Sequence, residues 1–271
     1  MAAGVYVTTK KDGTIYYRVS ITYRNKHISL GSYNDSSTAA FIYETAKEII
    51  NSPELHFYSA DSGNFSFHCC PPEFPLDKYI VLLNFRDHHI YIKTPIYLCQ
   101  NYFLYVLSPD HILIFNTDDL FYYSNHAIMC RGGYYYVNDY GMQTSILSRY
   151  GIRNHSVKNR DYIFRNQNEH DFRYENIYII NRYNGVSRIE KKGRILYRAR
   201  IHINGDFIIG TFATEDEAAI AYNKAADLIS PLNHVQYVNN YIEGISPIEY
   251  ASIYNRIRIS RKILSFIENA R

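Results

Sequence analysis

Tryptophan is absent from this 271-residue chain, cysteine occurs four times, and no run of 18 residues is apolar throughout. Each shortage excludes something. Without a long apolar run there is no candidate transmembrane helix. The N-terminal stretch "MAAGVYVTTKKDG" carries no apolar centre of the kind a secretory signal needs. Cys69, Cys70, Cys99 and Cys130 form no CxxC pair and no extracellular spacing pattern, so free thiols in a reducing compartment are expected. His68 beside Cys69 and Cys70, and the pair His88–His89, lack the two ligand pairs of a structural zinc site. The reading is of an intracellular protein, cytoplasmic or nuclear, with no cofactor, no metal and no membrane partner.

Charge of one sign is also scarce. The net value of +3 is too small to fix a polyanionic partner, but its distribution is uneven. Residues 182–271 hold thirteen Lys and Arg against nine Asp and Glu, and within them Arg188, Lys191, Lys192, Arg194, Arg198 and Arg200 face a single acid, Glu190. Such a stripe is either a phosphate-contacting surface or an ordinary solvated face. What the chain has in plenty is tyrosine, 29 of them, together with Ile and Asn. That bias fits an AT-rich genome: a virus, a phage, a parasite or a low-GC bacterium. The hydrophobic share of 46% is that of a globular protein, and the length predicts two or three small domains.

One segment is written twice. "GSYNDSSTAAFIYETAKEII" at Gly31–Ile50 and "GTFATEDEAAIAYNKAADLI" at Gly210–Ile229 align without a slip. Gly31 pairs with Gly210, Tyr33 with Phe212, Ala39–Ala40 with Ala218–Ala219, Tyr43 with Tyr222, and Ala46 with Ala225. Upstream, Gly4–Val5 answers Gly185–Val186, Tyr17–Arg18 answers Tyr197–Arg198, and Ile21 answers Ile201. Agreement at this density marks an internal repeat.

Both copies share a local grammar. In "LYRARIHI", Tyr197, Ala199, Ile201 and Ile203 fall on one strand face, and Arg198, Arg200 and His202 on the other. In the first copy Tyr17, Val19, Ile21 and Tyr23 oppose Arg18, Ser20, Thr22 and Arg24. Asn204–Gly205 signals a hairpin turn into a third strand. Thr214 is the expected N-cap of a helix, with Glu217 as capping-box partner. Ala218, Ala221, Tyr222 and Ala225 make a stripe small enough to lie close against a sheet. The predicted module is a three-stranded antiparallel sheet with one helix on its apolar face and a polar, basic face left uncovered. A two- or three-stranded ribbon fits the B-DNA major groove, ~12 Å wide, where Arg to guanine is the commonest specific contact.

"YNGV" at Tyr183–Val186, "YRARI" at Tyr197–Ile201 and "IIGTFATEDEAAIAYNKAA" at Ile208–Ala226 resemble the Apetala-two/ethylene-response-factor DNA-binding domain, which reads "YRGV…W.AEIR…WLGTF.T.EEAA.AYD.AA". The second copy matches over about 55 residues. The first is weaker but keeps the glycines and the Ala-Ala…Tyr…Ala helix. The resemblance implies a sheet seated in the major groove. The family's early arginines fall on Asn184 and Ser187, its tryptophans on Tyr197 and Ile208, and its glutamate near Arg200, so the family's target sequence does not carry over. By position the expected DNA contacts are Arg188, Lys191, Lys192, Arg194, Tyr197, Arg198, Arg200 and His202 in the second copy, and Thr8, Lys10, Tyr16, Arg18, Ser20 and Arg24 in the first.

Between the copies, "ILSRYGIRNHSVKNRDYIFRNQNEHDFRYENIYIINRYNGV" at Ile146–Val186 is similar to the HNH homing-endonuclease core, roughly "LHR……VDHINGN..DNRRENLRIVT..N". The match runs through Asp171, Arg173, Glu175, Asn176 and Ile177. HNH chemistry needs a metal held by oxygen and imidazole ligands and a histidine to activate water. Here the Asp-His pair has become Asp161–Tyr162, and the His of the opening motif has become Ser148. Tyrosine, with a pKa near ~10, is a poor base at neutral pH. Asp161 and Asn176 remain as vestigial metal candidates; His155 and His170 do not sit at the motif position. The resemblance implies a degenerate nuclease that holds DNA backbone through Arg149, Arg153, Lys158, Arg160 and Arg165.

Five segments follow: 1–58 and 182–240 as the two modules, 59–137 as a linker and strand-rich region, 138–181 as the degenerate HNH-like core, and 241–271 as a helical tail. In the second segment "KYIVLLNF", "HHIYIKT", "YFLYVLS", "HILIFN" and "GGYYYV" are expected as strands. In the tail Ile253, Ile257 and Leu264 are expected to pack inward. The fold class is α+β: two sheet-plus-helix modules flanking a strand-rich middle with a degenerate ββα core. The expected function is sequence-specific double-stranded DNA binding, in transcription or another genome-associated role, without enzymatic activity. The alternatives are an active HNH-type endonuclease and a protein-interaction adaptor on a DNA-binding-like fold, the latter engaging a protein partner through the N-terminal module.

Overall fold

The alternation of Tyr17, Val19, Ile21 and Tyr23 folds as read. In the computed structural model, which describes residues 4–55, 58–59, 64–65, 70–154, 156–232 and 237–270, strands β1 (Val5–Thr9), β2 (Ile15–Tyr23) and β3 (Lys26–Tyr33) form an antiparallel sheet in that order. Helix α1 (Ser36–Asn51) covers one side, burying Ala39, Ile42, Ala46 and Ile49 against Val19, Ile21, Ile28 and Leu30. Asp35 caps it, accepting from the Thr38 N–H at 2.7 Å, and hydrogen bonds from Ser37 and Thr38 hold the Asp35 carboxyl down at about 2.

The same construction recurs in β14 (Val186–Lys191), β15 (Arg194–His202), β16 (Asp206–Phe212) and helix α4 (Glu215–Ile229). Even the irregularities repeat. The β2–β3 ladder shifts register between Val19 and Ser20, and the β15–β16 ladder between Ala199 and Arg200. Just past each shift a backbone N–H reaches the glycine that opens the module: Ser20 N donates to Gly4 O at 3.0 Å, Arg200 N to Gly185 O at 2.7 Å. Both glycines hold positive φ, +83° and +68°, and a Cβ on either would run into that neighbouring residue's carbonyl and the ring of Tyr43 or Tyr222. The repeat is therefore one of backbone geometry as well as of letters. Thr214 caps α4 through the Glu217 N–H at 3.2 Å. The Glu217 carboxylate, expected to complete a capping box, instead accepts from Arg256 at 2.8 Å.

The chain divides into two units, Met1–Ile146 with Asn168–Asn176, and Leu147–Gln167 with Ile177–Arg271. In the first, a short pairing of β4 (Tyr58–Ser59) with β5 (Asn64–Phe65) follows the module. Helix α2 (Leu76–His88) then packs against α1 on one side and against the sheet of β6 (Ile96–Leu98), β7 (Tyr102–Ser108) and β8 (His111–Asn116) on the other. A 3₁₀ turn (Thr117–Asp119), helix α3 (Leu120–Asn125) and a meander of β9 (Ile128–Arg131), β10 (Tyr134–Asp139) and β11 (Met142–Ser145) complete it. Residues 168–176 run along β8, with Ile114 N donating to His170 O at 2.9 Å and Phe172 N to Ile114 O at 2.8 Å.

The second unit begins with the latter part of a 3₁₀ turn (Ile146–Tyr150) and pairs β12 (Tyr162–Phe164) with β13 (Ile177–Ile179) ahead of the second module. After α4, helices α5 (Pro247–Arg256) and α6 (Arg261–Ala270) pack back on it through Ile253, Ile257, Ile263 and Ile267. The α+β class holds, built of small antiparallel sheets.

Four expectations are corrected. "KYIVLLNF" is not a strand but the middle of α2, where every residue from Tyr79 to Arg86 is buried. A short unbroken apolar run does not separate a buried strand from a buried helix. Its polar residues serve the helix's neighbours: Arg86 donates to the carbonyls of Ile49, Ser52 and Leu55 around the end of α1, and Asn84 bonds Ile90 O and Leu98 N. "HHIYIKT" is irregular, because His89, at φ +61°, ends α2 and the next strand starts only at Ile96. The ββα element has its two strands but no helix after them. Residues Ile180 and Asn181 are held by backbone bonds to Asp161 O, and the chain turns at Gly185 directly into β14. Leu264 is exposed, while its neighbours Ile263 and Ile267 pack inward.

Candidate nucleic-acid interface

Because α4 covers one side of the second sheet, the register fixes what the other side shows. Arg198 pairs with Ser187 and Thr211, Arg200 with Ile208, His202 with Asp206, Leu196 with Ile189, and Arg194 with Lys191. All of these side chains share the uncovered face. Arg198, Arg200, His202, Arg194 and Lys191 thus stand where the alternation put them. Lys192, at φ +53°, occupies the tip of the β14–β15 turn. Two expected contacts are elsewhere. Tyr197 is half-buried on the α4 side and packs against the core, and Arg188 pairs with it on that same side of the edge strand. Neither shares the uncovered face, because each is one residue out of phase with Arg198. Ser187, Ile208 and Thr211 were missed. Nothing in their own spelling marks them, and only the cross-strand register places them beside the arginines.

Asp206 is the counter-charge on this face. Its carboxylate accepts from His202 Nδ1 at 3.0 Å and from Arg200 Nη1 at 3.3 Å. The His202 hydrogen bond, with help from Arg200 and Arg160 and against slight burial, lowers its pKa below the usual carboxylate range.

On the first module the uncovered face carries Tyr6 and Thr8 from β1, Tyr16, Arg18, Ser20 and Thr22 from β2, and His27, Ser29 and Ser32 from β3. Seven of these line a shallow depression of about 430 Å³. Thr8, Tyr16, Arg18 and Ser20 are therefore brought together as expected, with Ser20 itself buried. Tyr6, His27, Ser29 and Ser32 were again legible only from the register. Lys10 and Arg18 both lie over the Tyr16 ring, at 5.8 and 5.6 Å. Arg24, at φ +45°, sits in the β2–β3 turn over Tyr23. Arg18 is the only Lys or Arg among the described residues of the depression, so this face is far less basic than its counterpart.

Asp161 is buried and fully used. It accepts from the Val157 N–H at 2.7 Å, from Asn181 Nδ2 at 2.9 Å, and from the Arg160 fork at 2.7 to 3.2 Å. Burial pushes its pKa up, but Arg160, the Val157 N–H and Asn181 together pull it below the usual range. Asn176, the other vestigial metal candidate, belongs to the other unit and donates to Asp171 O at 2.8 Å. Tyr162 is buried in β12. His170 lies in the first unit, 5.6 Å ring to ring from His111, its pKa lowered by burial and by that neighbour. His68, Cys69 and His155 lie outside the described residues. Of the backbone-holding candidates, Lys158 is half-buried beside Tyr162, and Arg153 donates to Asn184 Oδ1 at 2.8 Å and Asn181 O at 3.2 Å. Arg160 is exposed but committed to Asp161.

Among the described residues no group of three or more His, Cys, Asp or Glu side chains gathers as a metal site, and no helix is long and apolar enough to cross a membrane. No protein-family model, curated protein or solved structure matches this chain.

Proposed function

We propose that the chain is an intracellular, sequence-reading double-stranded DNA-binding protein, acting in transcription or another genome-associated role, and that its two sheet modules present their uncovered faces to the major groove. The observation that carries this is the row of Arg198, Arg200 and His202 along the middle strand of a sheet whose other side is sealed by α4. A helix-backed ribbon with guanidinium groups on its open face has the width and donors to read guanine edges. The resemblance of both modules to the Apetala-two domain supports the same geometry, and the resemblance of the intervening segment to an HNH core supports descent from a homing endonuclease. The proposed protein does not cut DNA. A guanidinium already occupies both oxygens of Asp161, and the residue at the histidine position is a buried tyrosine.

A second reading is favoured by one observation, the weak basicity of the first module's face, whose depression is lined by a single Arg and no Lys among the described residues. That module is then a protein-docking head, and only the second reads DNA. Selection of bound sites from a random duplex pool, with and without Mg²⁺, tests the main reading. Expected are an enriched motif and intact strands in both conditions. Failure to enrich any motif would remove it, and cleavage in Mg²⁺ would replace it with the endonuclease.

A further inference from the structure

One cleft of about 380 Å³ lies wholly within the second unit, with Arg153, Arg160 and Asp161 on one side and Arg200, His202 and Asp206 of the uncovered sheet face on the other. Arg153, Arg160, Arg200 and His202 line it, against the carboxylates of Asp161 and Asp206. Arg160 is held by Asp161, and Arg200 and His202 by Asp206. Arg153 is different. It is half-buried, bonds only to the neutral acceptors Asn184 Oδ1 and Asn181 O, and makes no ion pair among the described residues. Burial works against its charge, while Asp161 and Glu215 act the other way from a distance. A partly desolvated guanidinium without a contacting anion is under-compensated.

We propose that this cleft is a phosphate-binding site, with Arg153, Arg200 and His202 as its donors and Asp206 as a built-in competitor that occupies two of them when phosphate is absent. It deepens the DNA-binding reading and rests on it for the source of the phosphate, a backbone phosphate beside the groove in which the sheet lies. Asp206 then weakens attachment to sequence-independent backbone. It gives up Arg200 and His202 only where a phosphate is held in place to take them, which favours sites whose bases also fit.

The test uses the full-length chain and two probes. Inorganic pyrophosphate is titrated while the Arg Nε–Hε and His ring resonances are followed, and a random-sequence duplex is titrated across a salt series. Asp206→Asn should tighten pyrophosphate about fivefold, the effect of removing one unit charge ~4 Å away in water, and should steepen the duplex salt slope by up to about 0.9. Arg200→Gln, at a half-exposed position where Asp206 is the side chain's one partner among the described residues, should reverse both effects. It serves if Arg153→Gln, which also loses two hydrogen bonds, does not fold. Pyrophosphate binding that is insensitive to Asp206→Asn, or that moves arginine resonances other than those of Arg153 and Arg200, would overturn the proposal. Pyrophosphate tightening without any duplex binding would keep the site, assign it to free phosphate, and remove the DNA reading instead.

Discussion

The opening glycine of each module offers a perturbation whose size follows from the geometry. Gly185 sits at φ +68°, with Arg200 O and the Tyr222 ring where a Cβ would go; Gly193 sits at nearly the same φ, +72°, with nothing within 4 Å. Alanine at either position suffers the left-handed backbone, about 1–2 kcal/mol. Only Gly185→Ala adds a collision, and one partner is backbone that cannot rotate away. Overpacking of this kind costs about 1–3 kcal/mol more. The totals are about 2–5 kcal/mol for Gly185→Ala against about 1–2 for Gly193→Ala. Because the chain has two units, a single melting temperature would mix them. Native-state hydrogen exchange of the α4 amides from Ala218 to Ala226 reads the module directly. Exchange there should quicken about 30-fold or more in Gly185→Ala and less than about 30-fold in Gly193→Ala, at about 1.4 kcal/mol per tenfold. Equal acceleration would refute the close approach of Gly185 to β15 and α4, and with it the equivalence of Gly185 to Gly4.

Replacing Arg198 by Ala should weaken binding to the selected site by about 1–3 kcal/mol if a bidentate bond to a base is removed, read by equilibrium titration with circular dichroism as the folding control; unchanged affinity removes this face as the reader. Arg18→Ala in the first module should shorten the protected footprint more than it weakens binding, and an identical footprint and salt slope would assign that module to a protein partner. Asp161→Ala should destabilise the second unit by about 2–4 kcal/mol, since it strands the Val157 N–H, Asn181 and Arg160, and Tyr162→His should not create Mg²⁺-dependent cutting; nicking by the wild-type chain that Asp161→Ala abolishes would show the opposite. The carboxyl of Asp35 titrates at about 2 in the folded chain, below its unfolded value near ~3.9, so the stability it lends α1 is full above about pH 4 and is lost as pH falls toward 2. Asp35→Ser should keep the cap and flatten that dependence, measured by exchange in α1; a dependence unchanged by the substitution would place the titration elsewhere.

Period-two alternation, the paired glycines and the Ala-Ala…Tyr…Ala helix determined the two modules and the composition of their open middle strands. These signals are local: an alternating strand has one burial pattern available, and a glycine at a forced positive φ has few substitutes. Tertiary structure decided the rest. Whether Tyr79–Arg86 was strand or helix depended on what covers it, and α1 on one side with β6 and β7 on the other made it a helix buried all round. Cross-strand register, which no single segment encodes, brought Ser187, Ile208 and Thr211 beside the arginines and sent Arg188 and Tyr197 to the other side. The segment expected to form an HNH-like core is divided between the two units, with Asn168–Asn176 paired along β8 and Asp161 bonded to Asn181. That division follows from hydrogen-bond partners distant in sequence: Ile114 for one piece, and Asn181 and the second module for the other. The cleft around Arg153 likewise exists only because a loop read as nuclease remnant folds against the sheet, setting a guanidinium that has no ion-pair partner among the described residues in the same cleft as Arg200, His202 and Asp206.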